Sequence, residues 1–301
     1  MDRDLSELVF HIPVRIDTDD RLNNLLITVN FLSKNFPDSK IQVVEDSLEP
    51  SLKHIFEKSP NVEYLFIHGE ERFSKSRTIN YGLSKTNCKF FCVYDADVLI
   101  TPAAVYKSIE ILLKKDVAVI LPHNGVFVNV IGETKRYVAE KLDINSIKYF
   151  NRISIKPLNK DLRLYYIPSG VVIFDRETLK LAGGYHRMMV SYGWEDIEIL
   201  KRLSRIGYDY FSLYGYNVIH LDHARGVDSK PGEYFNINKG IFNKTIKLKG
   251  DEFFEYLKTD IGADSQIINK IKKKSFFFTF FTFSKIRFIL QRIYCKFFIL
   301  K

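Results

Sequence analysis

The sequence is poor in cysteine. It has only three, Cys88, Cys92 and Cys295, and none of them forms the Cys-x-x-Cys spacing that is typical of structural zinc sites. A disulfide framework is therefore excluded. Cys88 and Cys92, next to and within the apolar run 90–94, are predicted to be small core residues. This usage fits a reducing, cytoplasmic compartment.

Several targeting and repeat signals are also missing. The first residues, "MDRDLSELVFHIPV", lack the basic start, long apolar stretch and small-residue cleavage site of a secretory signal, so none is expected. We find no internal repeat and no low-complexity linker. The composition, with 46% apolar and 27% charged residues over 301 positions, is that of an ordinary globular protein.

A net excess of positive charge is missing everywhere except at the carboxyl end. The formal net charge is +9, yet residues 270–301 hold nine Lys or Arg and no Asp or Glu, and residues 1–269 are formally neutral. A basic tail on a neutral body argues against a nucleic-acid-binding face spread over the fold. We expect no nucleic-acid partner.

Short apolar runs alternate with helical patterns in the first 125 residues. This alternation predicts an α/β fold with a mostly parallel, Rossmann-like sheet covered on both faces. Ligands of such sheets bind beyond the carboxyl ends of the strands. The predicted strands are 8–14, 41–45, 64–67, 90–94 and 117–122, and the predicted helices are 21–36, 50–59, 74–85 and 102–115.

The second half is less regular. Residues 162–179 indicate two strands leading into a short helix, 193–210 a helix closed by Gly207, and 217–223 another strand.

Two aspartates end one predicted strand. In "FFCVYDADVLITP", Asp95 and Asp97 follow a buried run, where they would repel each other. Taken alone, the pair is most simply a turn, because Asp suits turns and caps. The functional alternative is that a divalent cation relieves the repulsion, since hard cations prefer carboxylate oxygens and are often completed by a phosphate-bearing substrate.

A second candidate site is "GGYHRMMVSYGWEDIEIL", residues 183–200. Gly183 and Gly184 could simply end a helix, and Glu195 and Asp196 could simply be good first-turn residues. Together, however, a paired glycine, an aromatic loop and an acidic helix start describe a pocket. Its aromatics, Tyr192 and Trp194, offer flat apolar faces, and its carboxylates could accept a proton from a hydroxyl.

The ordered set of motifs resembles the β-1,4-galactosyltransferase family and related bacterial capsule-type transferases. The block 183–200 is similar to the family's "GG…GWGGED" segment. "IPVR", "FSKSRTINYGL", "YDADVLITP", "PSGVVIFDRETLKLAGGY" and "HLDHAR" resemble the family's other motifs in the same order, so that the likeness spans residues 8–225.

This resemblance implies the glycosyltransferase A fold. It implies a nucleotide-sugar-binding half at 1–125 and an acceptor-binding and catalytic half of the same domain at 126–245. It also implies a UDP-sugar as donor and a glycan as acceptor. Beyond the resemblance, the residues themselves predict a helical, basic amphipathic, membrane-associating tail at 246–301.

The resemblance further implies a metal site. Asp97 matches the aspartate that binds Mn²⁺, with Asp95 supporting it near the ribose. His223 matches the family's metal-binding histidine, and His220 takes the place of its metal-binding methionine. Because residues three apart on a strand point to opposite faces, both histidines reach one ion only if the chain turns after His220. Imidazole with carboxylate suits Mn²⁺ better than Mg²⁺.

Other roles are carried over in the same way. Asp196 matches the general base of inverting members, and Glu195 would bind the donor sugar or the acceptor. Tyr192 takes a tryptophan place and Trp194 a glycine place, which changes the acceptor site. Residues implied at the nucleotide are Pro13, Arg15, Asp46, Phe73 and Lys75, with Arg15 and Lys75 at the diphosphate, Phe73 at the uridine and Asp46 at the uracil. Arg77 is a further basic candidate because it lies close to Lys75 at the same loop-to-helix start.

One position bears on the donor. Ile167 matches a residue that crowds the sugar's 2-substituent in galactosyltransferases, and a smaller side chain there is associated with N-acetylgalactosamine. The expected activity is therefore metal-dependent, inverting transfer of galactose or N-acetylgalactosamine to a growing surface glycan. Alternatives are transfer of another UDP-hexose, or a scaffold with a decayed site. A sugar-nucleotide pyrophosphorylase would need a glycine-rich loop after the first strand, which "HIPVRIDTDDR" lacks.

The tail 270–301 predicts a membrane contact. Its apolar run is broken by Lys285 and Arg287, so it falls short of the roughly 18–20 residues that span a bilayer. A basic amphipathic helix rich in Phe indicates binding to an anionic membrane surface. The alternative is a terminal helix that packs on the body or on a partner subunit. The first interpretation predicts a peripheral protein on the inner face of the cell membrane, with a lipid-linked acceptor.

Overall fold

A computed structural model describes residues 4–114, 117–144, 154–155, 169–208, 210–269 and 271. The predicted tail segment beyond 271, and Ile167, lie outside these residues. Within them, no helix combines the length and apolar character needed to cross a lipid bilayer.

The main sheet has seven strands in the order β10-β6-β9-β4-β1-β2-β3. All neighbouring pairs are parallel except those of β9, which runs antiparallel between β4 and β6. The strands are β1 (Leu8–Val14), β2 (Lys40–Ser47), β3 (Val62–His68), β4 (Phe90–Tyr94), β6 (Val119–Leu121), β9 (Val171–Asp175) and β10 (Tyr210–Ser212).

A smaller sheet of four strands has the order β5-β11-β7-β8. Of its four strands only the one at 218–221 was predicted from the sequence, as 217–223, so the sheet itself was not expected. Its strands are β5 (Val98–Leu99), β7 (Phe127–Val130), β8 (Ser154–Ile155) and β11 (Val218–Leu221).

Helices follow most strands of the main sheet, as predicted. The prediction for 50–59 was too long, since that helix has only four residues. The helices are α1 (Asp19–Asn35), α2 (Lys53–Phe56), α3 (Lys75–Ser84), α4 (Pro102–Lys114), α5 (Gly132–Lys141), α6 (Arg176–Leu181), α7 (Glu195–Arg205), α8 (Glu233–Lys247) and α9 (Gly250–Tyr256).

Strand β4 shows how the main sheet is buried on both faces. Phe90, Cys92 and Tyr94 belong to one apolar cluster, which includes residues of α1 and α4. Phe91 and Val93 belong to a second cluster, which includes residues of α3, α7 and α9. Successive side chains of a strand point to opposite faces, so the continuous apolar run has a physical reason.

The two cysteines near this strand differ in burial. The expected place of Cys92 in the core is confirmed, because its side chain is fully buried. Cys88 precedes the strand and is only partly buried, packed against the edge of the second cluster.

Candidate active site

The predicted site residues gather where the parallel strands of the main sheet end. Arg15 follows β1, Asp46 lies in the last two residues of β2, and Asp95 follows β4. Pro13 is buried inside β1, in register with Val44 of β2. Because parallel strands present their carboxyl ends at one edge, these positions share that edge with the turn that carries Asp97.

Asp97, His220 and His223 form one cluster. A carboxylate oxygen of Asp97 and one ring nitrogen of each histidine all lie within 4.8 Å of one another. The Nε2 atom of His223 is 2.8 Å from Oδ2 of Asp97, and that of His220 is 3.8 Å from the same oxygen. The structure therefore brings together the three residues that the resemblance implies as metal ligands.

Both histidines reach Asp97 because the strand ends between them. β11 ends at Leu221, so His223 leaves the alternation that would point it away from His220. The amide of Leu221 donates to the carbonyl of Asp97 at 2.8 Å, and His220 pairs in register with Val98 of β5. These backbone contacts hold the histidine strand beside the aspartate turn.

The donor set of this cluster fits a divalent cation. The second nitrogen of each histidine already contacts a hydrogen-bond acceptor, since Nδ1 of His220 is 2.7 Å from Oδ1 of Asn129 and Nδ1 of His223 is 2.6 Å from the carbonyl of Ala224. Both Nε2 atoms are thus left to face Asp97. Lone pairs that face a carboxylate need a proton or a metal ion between them, and imidazole with carboxylate oxygen suits Mn²⁺.

The electrostatics of the cluster agree with this fit. Burial opposes the charge of Asp97, but the hydrogen bond with His223 and the nearby His220 hold its pKa below the usual value. The same hydrogen bond raises the pKa of His223, whereas burial lowers the pKa of His220. His223 is therefore the group that a proton occupies most readily when no metal ion is bound.

Lys75 joins the two other carboxylates of the site. As the first residue of α3, it places its ammonium nitrogen 2.8 Å from Oδ1 of Asp95 and 3.0 Å from Oδ2 of Asp196. Burial disfavours the charged lysine, but Asp196, Asp95 and Glu195 outweigh this effect and raise its pKa. Burial also raises the pKa of Asp95, against the opposing charge of Lys75.

Asp196 is held from a second side by Tyr185. The hydroxyl of Tyr185 donates to Oδ1 of Asp196 at 3.3 Å, while the backbone of Tyr185 exchanges two hydrogen bonds of 2.8 Å with the side-chain amide of Asn80. Gly184 makes this approach possible, since its φ is +68° and an added Cβ would lie 2.3 Å from Oδ1 of Asn80. Gly184 therefore allows Tyr185 to reach Asn80 and to hold Asp196 in position.

A buried ion pair fixes the same turn from the helix side. Arg202 and Glu198 of α7 pair at 2.9 Å with no exposure of either side chain. The guanidinium of Arg202 also donates to the carbonyls of Ala182 and Gly184. The polar atoms of this pair are thus satisfied by the turn that precedes Tyr185, as buried charges require.

Glu195 and Trp194 begin the acidic helix. Oε2 of Glu195 is buried and has no hydrogen-bond partner among the described residues. Burial, reinforced by Asp196, raises the pKa of Glu195 to about 7. Trp194 has a φ of +77°, so it keeps a backbone conformation that favours the glycine it replaces. Its ring packs against Phe235 and Phe242 of α8, at centroid distances of 5.6 and 5.0 Å.

The two arginines predicted at the nucleotide, Arg15 and Arg77, contact Asp46. Its buried carboxylate accepts hydrogen bonds from Arg77 at 2.7 Å, Arg15 at 3.3 Å and the amide of Ser74 at 2.9 Å. The Arg15 guanidinium lies 6.0 Å from the centre of the Phe73 ring. Asp46 thus orients both arginines in this structure.

Sequence reasoning missed several contributors to the site. Tyr185 lies inside the glycine motif and could have been noticed there. Asn129, which contacts His220, gave no signal because its strand β7 was not predicted. Asp228, which accepts from the amide of Phe73 at 3.3 Å and lies 3.9 Å from Arg15, belongs to a short 3-10 helix, Val227–Ser229, without a motif.

Comparisons with known proteins give two family matches. The model of glycosyl transferase family 2 matches residues 15–177, and the model described as the N-terminal domain of galactosyltransferase matches residues 151–224. No curated protein sequence matches the chain.

Solved structures support the fold. The structure of GalNAc-T7 with UDP, GalNAc and Mn²⁺ has a TM-score of 0.56 at 13% identity, covering 83% of this chain and 49% of that chain. The structure of S. aureus TarS 1–349 with UDP-GlcNAc has a TM-score of 0.53 at 14% identity. The match covers 90% of this chain and 73% of the TarS chain. This chain thus spans about half of the GalNAc-T7 chain.

These likenesses confirm the predicted glycosyltransferase A fold with its mostly parallel sheet, and the galactosyltransferase match agrees with the resemblance seen in the motifs. The family 2 model covers residues 15–177, more than half of the 301 residues. The chain therefore belongs to glycosyl transferase family 2.

Proposed function

We propose that this glycosyltransferase moves galactose or N-acetylgalactosamine from a UDP-sugar to a hydroxyl group of a growing surface glycan, such as a capsule or a lipopolysaccharide, with inversion and with Mn²⁺. The observation that carries the proposal is the convergence at one sheet edge. The turn after β4 supplies Asp97 to the cluster with His220 and His223, and Lys75 connects Asp95 of that same turn to Asp196.

The cluster would hold the metal ion. A metal ion held by these residues would supply positive charge that neutralises the departing diphosphate. Mg²⁺ is a weaker candidate because two of the three donors are imidazole nitrogens. The GalNAc-T7 structure, which was solved with UDP, GalNAc and Mn²⁺, supports this choice by analogy of fold.

Asp196 is the proposed general base. It would take the proton of the acceptor hydroxyl as that oxygen attacks the anomeric carbon. Tyr185 and Lys75 hold its two oxygens and so fix its direction. The unpartnered oxygen of Glu195, one residue earlier on the helix, is available to bind a sugar hydroxyl.

Lys75, Arg15 and Arg77 would meet the diphosphate. Each is held by a carboxylate at the carboxyl ends of the strands, so their charges are already oriented toward that edge. Phe73 would offer its ring to the uridine, and Pro13 would line the loop after β1. Asp46, whose Oδ1 accepts from both arginines and whose Oδ2 accepts from the amide of Ser74, would lie at the uracil.

The donor sugar separates the leading proposal from its alternative. The galactosyltransferase match over 151–224 favours a galactose-type sugar. S. aureus TarS was solved with UDP-GlcNAc, which keeps N-acetylglucosamine as a second candidate. A panel of UDP-sugars, assayed by UDP release, distinguishes them.

We also propose that residues 270–301 attach the protein to the inner face of the cell membrane and present it to a lipid-linked acceptor. The support is the charge distribution of the sequence, since all of the excess positive charge lies in this segment. Binding to vesicles of anionic lipid tests this part.

The test of the activity is UDP release with and without Mn²⁺, for the wild type and for Asp196→Asn. We expect turnover that depends on the metal, and a loss of roughly 10²–10⁴-fold for Asp196→Asn, the usual contribution of a general base. Asp251→Asn is the matched control, because Asp251 also lies in the first turn of a helix but is exposed.

Two results would contradict the proposal. Full activity of Asp196→Asn would remove it as the base and leave Glu195 as the next candidate. Absence of both turnover and UDP binding, in either metal condition, would favour a scaffold with a decayed site.

A further inference from the structure

His220 contacts more than Asp97. It lies on β11 directly opposite Asn129 of the parallel strand β7. Nδ1 of His220 and Oδ1 of Asn129 are 2.7 Å apart. Asn129 is 7% exposed, so its amide is buried beside the imidazole ring.

Asp222 determines which way this amide points. Nδ2 of Asn129 donates to Oδ1 of Asp222 at 2.7 Å. An ionised carboxylate can only accept hydrogen bonds, so the NH₂ group of Asn129 must face Asp222 and its oxygen must face His220. That oxygen in turn requires a proton on Nδ1 of His220.

The proton on Nδ1 decides the role of the other ring nitrogen. A neutral imidazole with Nδ1–H carries its lone pair on Nε2, the atom that lies 3.8 Å from Oδ2 of Asp97. If the amide were reversed, Nε2 would carry the proton and would donate to Asp97 instead of binding a cation.

Asp222 is itself held in place. Its amide donates to the carbonyl of Val130 at 3.1 Å, and its carbonyl accepts from the ammonium of Lys135 at 2.7 Å. The chain of contacts therefore starts at a fixed backbone, passes through two side chains and ends at the imidazole.

We propose that Asn129 and Asp222 are positioning residues. They keep the proton of His220 on Nδ1, so that Nε2 is free to bind a metal ion, and thereby give the site its preference for Mn²⁺ over Mg²⁺. The inference rests on the proposed metal-dependent transfer, and it concerns the histidine that replaces the methionine of the resembling family. Partners that orient a ligating histidine commonly contribute 10–100-fold to metal affinity, as an order of magnitude.

The experiment measures Mn²⁺ and Mg²⁺ binding to the full chain with UDP present, by Mn²⁺ electron paramagnetic resonance and by Mg²⁺ competition. We expect Asn129→Ala to weaken Mn²⁺ binding by roughly 10–100-fold and Mg²⁺ binding less. Spin-echo modulation from directly bound histidine nitrogen should also decrease, which a purely structural loss would not cause.

Two further variants keep the test specific. The control is Asn124→Ala, which removes a side-chain amide contact of 3.0 Å to Asn217. This contact lies beside the same two strands but away from His220. The control variant should bind Mn²⁺ as the wild type does. The double variant Asn129→Asp with Asp222→Asn exchanges the amide and the carboxylate. It keeps an acceptor toward Nδ1 of His220, so it should recover most of the Mn²⁺ affinity.

Unchanged affinity and unchanged metal preference in Asn129→Ala would overturn the inference, as would failure of the exchanged pair to recover binding in a folded protein. Absence of Mn²⁺ binding in the wild type would overturn it as well. If Mn²⁺ binds as expected while no UDP-sugar is turned over, the transfer function fails and the positioning role stands.

Discussion

At the scale of single residues, the site is built by giving most of its charged groups a fixed partner. Lys75 bridges Asp95 and Asp196, and Asp46 orients two arginines. Glu195 is the exception, because one of its oxygens is buried and unpartnered among the described residues. A buried carboxyl without a partner costs stability when it ionises, and this cost depends on pH.

We predict that Glu195→Gln stabilises the protein at high pH. The pKa of Glu195 is raised in the folded state from 4.5 to about 7. The wild type therefore has its full stability below about pH 4.5 and loses some as the pH rises through about 7. The variant should gain on the order of 1–3 kcal/mol over the wild type at pH 8 and little near pH 4.5.

Urea unfolding at several pH values measures this difference. Glu233→Gln is the control, because Glu233 also begins a helix but is exposed. A stability difference for Glu195→Gln that is equal at pH 4.5 and pH 8 would show that burial does not govern this carboxyl group.

At the scale of elements, helix α1 holds in place the turn that carries Asp95 and Asp97. The hydroxyl of Thr28 donates to the carbonyl of Ala96, between the two aspartates, at 3.0 Å. The amide of Asn24 donates to the carbonyl of Leu221, next to His220, at 2.8 Å. Both side chains are fully buried. One helix thus connects the turn that carries the two aspartates with β11, which carries His220 and ends before His223.

We predict that Thr28→Val lowers both stability and Mn²⁺ affinity. Valine has nearly the same shape but leaves the Ala96 carbonyl without this partner, which costs about 1–3 kcal/mol. Ser33→Ala is the control on the same helix. It removes a hydrogen bond of 3.2 Å to Asn61, and neither residue belongs to the site.

Urea unfolding and Mn²⁺ titration follow the two effects separately. Ser33→Ala should change stability alone. Equal Mn²⁺ affinity in the wild type and Thr28→Val would mean that the turn keeps its geometry without α1.

At the scale of the whole molecule, charge is divided between body and tail. Residues 1–269 are formally neutral and the following segment carries the excess of +9. Attraction between a basic segment and an anionic surface contributes roughly 1 kcal/mol per Lys or Arg near the surface. This attraction is screened by salt over about 8–10 Å at physiological ionic strength.

We predict that the full chain sediments with vesicles of anionic lipid, less with zwitterionic ones, and less as salt is raised. Replacing Lys272, Lys273 and Lys274 by Gln should weaken the binding, since three charges are lost. The control replaces Lys107 and Lys114, which pair with Glu110 on the exposed face of α4. Equal binding to both lipids at low salt would favour a tail that packs on protein.

Much of this organisation followed from local patterns. The run 90–94 predicted β4 with its observed limits, and 8–14 did the same for β1. These segments are buried on both faces, so their sequences are apolar throughout except for His11. The resemblance then named Asp97, His220 and His223 before their distances were known.

The remaining features depend on contacts between distant parts of the chain. The strands β5, β7 and β8 have two to four residues, too few for a period of two to be recognised. Asn129 carries no motif, and the glycine motif that contains Tyr185 does not indicate its partner. Their roles arise only because folding places them beside His220 and Asp196.

The sequence by itself therefore determined the layered α/β fold, the carboxylate edge and the family, because these depend on periodicity and on motif order. Only the tertiary structure decided that β11 ends between the two histidines, that Lys75 joins Asp95 to Asp196, and that Asn129 orients His220. Lys75 and Asp196 are 121 positions apart, and Asn129 and His220 are 91 apart. Such side chains come within hydrogen-bond distance only when the chain folds. A local sequence pattern spans a few residues and therefore cannot predict a contact over that separation.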